Sequence, residues 1–292
     1  MIEFIEAVSI YSFLQYALLA GMLAGISCGI VGSYVVTRRI TYIAGAIAHS
    51  VLGGMGAAYY LSVVYEWPGL RPVHGAVVAA LLSAILIGWV TLRAREREDT
   101  AIGAIWAIGM AVGIIFISQT PGYNQELMGY LFGNILMISP FDLWLMLALD
   151  LLLVVTTIVF YNRFLAVCFD EEFARVRGVR VELYYILLLC LIALTVVILV
   201  AVVGVVMVIA LLTLPAAVAG YFSRTLRQLM AVAIGGSIFF TTSGLAISYQ
   251  FNLPAGATII IVAGVVYLVI ALGSRLFVAV RHNSIRERKA EG

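Results

Sequence analysis

Between Leu183 and Phe222 the chain runs for about forty residues without an Asp, Glu, Lys or Arg, roughly twice the ~20 apolar residues one helix needs to cross a bilayer. That length implies two crossings joined by a tight turn, expected near Gly204. Shorter runs of the same kind recur along all 292 residues, 64% of which are hydrophobic and 11% charged, with a mean hydropathy of +1.12. A soluble domain carries about a quarter charged residues, so this chain lacks the polar groups to cover a water-facing surface of its size. Its apolar content is also the reverse of the composition that leaves a chain disordered. The sequence therefore describes a polytopic membrane protein, one integral membrane domain over residues 1–292.

Hydrophobic runs set against charged breaks predict spans at roughly 11–36, 43–64, 73–92, 100–118, 141–161, 183–203, 205–222, 229–249 and 255–275. The fold class is all-α, with about nine transmembrane helices and eight to ten as the range that the length allows. The run Leu127–Ser139, closed by Pro140, is too short to cross and reads as a re-entrant or interfacial segment on the outer side. Folding 183–222 as one crossing plus a half-helix would give eight spans and would move Arg224 and Arg227 to the other side. Glu3 and Glu6 precede the first run, and no basic residue comes before Arg38. The run lacks the positive region of a cleaved secretory signal and is expected to remain as a span.

The balance of 17 Lys plus Arg against 15 Asp plus Glu says little as a sum. By position it orients the chain. With the N-terminus outside, the breaks holding Arg38 and Arg39, then Arg93, Arg95 and Arg97, then Arg163, Arg175, Arg177 and Arg180, then Arg224 and Arg227, and finally the tail from Arg275 onward all fall in the cytoplasm, and only Arg71 falls outside. That is the bias expected of short loops. It makes 163–180 and 214–228 cytoplasmic loops and 276–292 a cytoplasmic tail. The single lysine, Lys289, follows Arg288 in that tail, so no glycine-rich phosphate loop with its lysine exists to bind ATP. Cys28, Cys168 and Cys190 show no CxxC spacing, and neither a disulfide framework nor a thiolate metal site is expected. Nothing points to a nucleic-acid partner.

Gly21, Gly25, Gly29 and Gly32 line the first span, and Gly45, Gly53, Gly54 and Gly56 the second. Such rows of small residues let helices approach closely in lipid. Two ionisable groups stand well inside predicted spans. His49 lies in the second and Asp150 near the middle of the fifth, in LALDLLLVV. A titratable group at that depth is expensive, a lipid-facing Asp costing about 3 kcal/mol, and so faces a cavity or a partner helix. A neutral imidazole is a common transition-metal ligand; a hydrogen bond to a neighbouring helix is the alternative reading of either residue. No HExxH occurs, and Ser50 has no evident base oriented by a third group, so an intramembrane enzyme is not expected. The outer loops carry Gln119, Tyr123, Asn124, Gln125 and Glu126, then Gln250 and Asn252, which read either as a docking rim or as ordinary solvated loops.

Taken together, the motifs resemble the membrane permease subunit of ABC importers for divalent metals, the zinc, manganese and iron uptake family, over nearly the whole chain. The residues that carry the resemblance are Ala17–Gly21 through Cys28–Arg39, Ala46-Ile47-Ala48-His49-Ser50, Leu131–Leu136 before Pro140, the DEEFARVRGV loop from Asp170, Val203–Val206 through Leu212–Ala217, and Leu253–Thr258. The resemblance implies a type II ABC importer-like bundle in a bacterial cytoplasmic (inner) membrane, with a second copy of this chain, two cytoplasmic ATPase subunits and an extracytoplasmic metal-binding protein as partners. ATP hydrolysis would belong to the ATPase partners. No tightly bound cofactor is implied, the divalent metal being cargo. Leu214–Gln228 is similar to the segment that couples ATPase closure to the permease, which gives Pro215, Arg224 and Arg227 that role, and DEEFARVRGV would be a second contact through Glu171 and Arg175.

In the family the second span carries an Asp four residues before the His, which sets a carboxylate and an imidazole on one helix face as metal ligands. Here that position is Gly45, and Asn134 stands where many members carry an acid. Either the ligand set differs, His49 being joined by Asp150, or a wide cavity passes the ion with little coordination. The expected function is an ATP-driven importer permease for zinc, manganese or iron. The alternative is a secondary transporter or channel without ATPase partners, which expects more charged residues along its pathway than these two.

Overall fold

A computed structural model describes residues 2–67, 69–93, 98–120, 133 and 135–290. Tyr123–Glu126, residues 127–132 and Asn134 therefore lie outside the described residues. The described chain is helical throughout, without a strand. Its elements are α1 (Ile2–Ile10), α2 (Ser12–Arg38), α3 (Thr41–Val64), α4 (Pro72–Arg93), α5 (Glu98–Ser118), a 3-10 turn (Ile135–Met137), α6 (Pro140–Phe169), α7 (Glu171–Val176), α8 (Val181–Val203), α9 (Val205–Phe222), α10 (Leu226–Phe251) and α11 (Ala255–Ala290). Nine of them are long and apolar enough to cross a bilayer, and each coincides with one of the nine predicted spans. The short α1 was not expected. At nine residues it cannot cross, and it caps the bundle by setting Phe4 against Tyr249 at 5.8 Å.

The uncharged run from Leu183 does break at Gly204, where φ is +83° and ψ 158°. Only glycine adopts that combination without strain. Gly133 lies directly against this corner, with no room for a Cβ beside the Val203 carbonyl. The start of α6 is written in Ser139-Pro140-Phe141-Asp142. The Ser139 hydroxyl accepts from the Asp142 N–H, the Asp142 carboxylate accepts from the Ser139 N–H at 3.0 Å, and Pro140 occupies the first turn.

Two expected loops are mostly helix. Residues 163–180 contain the last turns of α6 and the short α7, which Asp170 caps by accepting the Phe173 N–H at 2.9 Å. Arg163 marks a boundary of hydropathy without ending the helix. In 214–228 only Ser223–Thr225 interrupts the helices. Pro215, which falls both in the predicted 205–222 span and in the expected 214–228 loop, is a buried interior residue of α9. It leaves the Leu211 carbonyl without its helical donor, while Ala216 and Ala219 bury against Ala233 of α10 and keep the helix going. The tail likewise continues as helix through Ala290.

Glycines set the neighbours of the central helix. Gly21, Gly25 and Gly29 of α2 meet Thr241, Ile238 and Ile234 of α10 in antiparallel order, and Gly32 abuts the Leu212 carbonyl of α9. Of the apolar 18-residue stretches that mark α2 and α8 as spans, 72% and 67% of the residues are buried, against only 11% for α5. The core is thus α2, α8 and α9, and α5 rides outside on α3.

The arginine-bearing ends of α2, α6 and α7, the start of α8 and the α9–α10 corner meet on one face, called here the basic end. Arg38 at the end of α2 is ion-paired with Glu171, donates to the Val167 carbonyl at 3.1 Å and lies 5.3 Å from the centre of the Tyr185 ring. Arg163 donates to the Tyr184 hydroxyl. These contacts tie α2, α6, α7 and α8 together at that face.

Candidate functional site

His49 stands eight residues into α3 from the basic end, about 12 Å along the helix axis. It faces α5. Its ring stacks on the indole of Trp106, centroids 4.4 Å apart and planes 16° from parallel, and its Nδ1 is buried without a hydrogen-bond partner. Trp106 is likewise eight residues into α5, so the two parallel helices run in step. The indole also lies 5.5 Å from the Tyr42 ring. A Cβ at Gly45 would sit 3.2 Å from its edge. Tyr42, Gly45 and His49 share one face of α3, and one indole covers all three. Its height is fixed by backbone contact farther along: a Cβ at Gly109 would meet the Ser50 Cα at 2.6 Å, and one at Gly113 the Leu52 carbonyl at 2.8 Å.

Asp150 is buried in α6 and faces α2, where its Oδ1 accepts the Ser27 hydroxyl proton. The other oxygen, Oδ2, is buried without a partner. His49 and Asp150 therefore face different helices, α5 and α2, and the structure does not present them as one ligand pair. No group of three or more His, Cys, Asp or Glu gathers among the described residues. Sequence reasoning found both ionisable groups and missed Trp106 and Ser27. The absent side chain at Gly45 was the available signal for Trp106, since space left open on a packed helix face is filled from a neighbour.

At the basic end a cleft of about 950 Å³ opens between the end of α6, α7 and the α9–α10 corner, lined by Tyr161, Asn162, Phe169, Asp170, Phe173, Arg224 and Arg227 among others. Arg227 rests over the Tyr161 ring at 4.8 Å. Arg224 and Arg227 are exposed, as is Arg175 on α7, whereas Glu171 is committed to Arg38. Phe169, Phe173 and Phe222 expose 66%, 52% and 65% of their surface here, large apolar groups beside cations, with Phe169 and Phe222 at the last residues of their spans and Phe173 beyond one. The corner itself is stiff: Thr225 caps α10 by accepting the Gln228 N–H, and the Gln228 side-chain oxygen accepts the Arg224 N–H at 3.1 Å.

The model of the ABC 3 transport family matches residues 10–274. The chain belongs to that family. This ABC 3 protein is 44% identical over 269 residues to an uncharacterized membrane protein of Synechocystis sp., covering 92% of this chain and 93% of that one. It is 32% identical over 264 residues to the manganese transport system membrane protein MntC of Halalkalibacterium halodurans, with 90% and 88% covered. Among solved structures it resembles PsaBC from Streptococcus pneumoniae in complex with Fab, with a TM-score of 0.81 at 32% identity over 92% of this chain and 95% of that one. The family and the helical fold expected from the motifs are both met. As an ABC 3 permease of the metal-transport kind, the chain is a multi-pass membrane subunit of an ABC transporter and not its ATPase.

Proposed function

We propose that this permease imports a divalent metal ion, zinc, manganese or iron, into the cytoplasm, working as a homodimer with two ATPase subunits at the basic end and an extracytoplasmic binding protein that delivers the ion at the opposite end. The observation that carries this reading is the pairing, in one ABC 3 chain, of an intramembrane imidazole with a bare nitrogen and a basic, aromatic cleft at the end where cytoplasmic residues are expected. The N-terminus lies outside in this reading, because the arginine-bearing helix ends share one face and positive residues stay on the cytoplasmic side.

Exposed Phe169, Phe173 and Phe222 next to Arg224 and Arg227 have the aromatic and arginine composition of an interface centre, and the ATPase docks there. The capped corner Ser223–Thr225 joins two long helices. Movement of the ATPase is passed along α9 and α10 as levers, and α10 carries it into α2 through the glycine row at Gly21, Gly25 and Gly29. The bundle alternates between two packings, each opening His49 to one side. His49 supplies the nitrogen that the passing ion meets. Asp150 acts as a buried acceptor for Ser27 that holds α6 on α2, and the metal-contacting role rests with His49.

The test is co-purification with candidate ATPases and metal uptake in cells. A stable complex whose ATP hydrolysis falls when Arg224 and Arg227 are both changed to Ala, together with uptake lost in His49→Ala, is the expected outcome. Undiminished uptake in His49→Ala, or consistent failure to associate with any ATPase, overturns the reading.

A further inference from the structure

The His49 site holds an exclusion that the sequence leaves invisible. Gly45 is one turn before His49 on the same helix face, where a carboxylate would stand beside the imidazole. The Trp106 indole occupies that ground. Its six-membered ring comes within 3.2 Å of where the Cβ of residue 45 would begin, before any Cγ or carboxylate oxygen is placed, and its face lies 4.4 Å from the His49 ring. Helix α5 cannot carry the indole away from α3. Three residues on, Gly109 brings α5 into backbone contact with Ser50, and Gly113 meets Leu52 in the same way, so the distance between the helices is set by main chain. On its other edge the indole is flanked by Tyr42.

We propose that Trp106 is the selectivity residue of the His49 site: it fills the space a side chain at position 45 needs, so a passing ion meets a nitrogen donor beside an aromatic face with no carboxylate on that helix face, and zinc is carried in preference to manganese. The chemistry follows from donor type. Imidazole suits zinc, manganese favours carboxylate and water oxygen, and at a nitrogen donor zinc binds more strongly than manganese. An aromatic wall offers neither ion an oxygen and excludes the water that would complete a manganese shell. The inference rests on the reading of His49 as part of the metal pathway and goes further in naming what sets the preference.

A substitution cycle tests it in the assembled transporter, with uptake of Zn²⁺ and Mn²⁺ measured separately for the wild type, Gly45→Asp, Trp106→Ala and the double variant. Gly45→Asp alone is expected to lower uptake of both ions by about tenfold, the scale of coupling between residues in contact. Trp106→Ala in the same chain is expected to restore uptake and raise the ratio of Mn²⁺ to Zn²⁺ above wild type by about tenfold. A packing role alone would restore folding without moving that ratio. The inference is overturned if Gly45→Asp is tolerated with Trp106 in place, if the two changes act independently, or if the ratio stays at its wild-type value. A second measurement does not need the substituted pair to fold. With Trp67, Trp89 and Trp144 changed to Phe, Co²⁺ added to the complex should quench Trp106 fluorescence, and His49→Ala should abolish the quenching. Quenching that is absent, or indifferent to His49, overturns the placement of the indole beside the ion. Failure of the functional reading gives a different pattern, in which His49→Ala leaves uptake unchanged while melting temperatures of the purified protein still show Trp106→Ala relieving Gly45→Asp.

Discussion

His49 and Asp150 are two ionisable groups inside one bundle; each keeps one buried polar atom without a partner, and the rest of their surroundings differ. Asp150 sits where α6 meets α2, a helix whose apolar 18-residue stretch is 72% buried, and one of its oxygens is held by Ser27. His49 sits where α3 meets α5, whose corresponding figure is 11%, and it has a ring stacked above it and a nitrogen without a partner. The first environment spends its polar group on holding helices together. The second keeps its polar group free and fixes only what lies over it. Two ionisable residues thus serve different ends, and the distinguishing factor is the neighbour each one faces. The helix contacts differ in kind too. Around α5 they run from backbone to backbone through Gly109 and Gly113, while around Asp150 and the basic end they are side-chain locks such as Ser27 with Asp150 and Arg38 with Glu171.

The comparison breaks most visibly at the glycine contact. Gly109→Val places a branched side chain where even a Cβ lies 2.6 Å from the Ser50 Cα, so α5 must leave α3. We expect uptake to be lost along with about 1–3 kcal/mol of stability, the range for overpacking, read by thermal unfolding in detergent and by uptake. Gly235→Ala is the control, since nothing lies within 4 Å of that site; it should stay within about 0.5 kcal/mol of wild type. Next in size is His49→Ala, which removes a metal donor and should lower uptake by about tenfold or more while leaving the melting temperature nearly unchanged. Ser27→Ala is the mirror experiment. It deprives Asp150 of its hydrogen-bond donor and should cost about 1–3 kcal/mol of stability with uptake per folded molecule retained; a transport defect without a stability loss would erase the contrast between the two regions. Smallest is Glu171→Gln. Both side chains of that ion pair are partly exposed, 19% for Arg38 and 29% for Glu171, so the loss should be about 0.2–1 kcal/mol, and added salt should shrink it further.

Much of this architecture is legible in the residues because a bilayer imposes one length and one polarity on every crossing. The turn at Gly204 could be placed from chain length alone, since about forty uncharged residues are too many for one crossing and glycine is where a chain most easily takes a positive φ. Helix ends at the basic face were less legible. Charges mark where the apolar region stops, and Arg163 and Arg224 do so, yet hydrogen bonding carries α6 on to Phe169 and the small residues after Pro215 carry α9 on to Phe222. At the site, His49 and Asp150 stood out by the cost of burying them, whereas their partners did not. Ser27 and Trp106 are ordinary residues in apolar helices, and nothing local says which face of which helix they meet.

The sequence by itself determined that the chain spans a membrane about nine times, which ends of the spans carry the positive residues, and which two ionisable groups stand inside. Composition and period suffice for these because they are properties of single segments in lipid. Only the tertiary structure decided that Asp150 is engaged by α2 while His49 is left with a bare nitrogen, and that an indole from α5 stands where Gly45 leaves room. Those outcomes depend on how close two backbones come and in what register. Glycine contacts between helices set both, and a glycine carries no mark in the sequence of the partner it will meet.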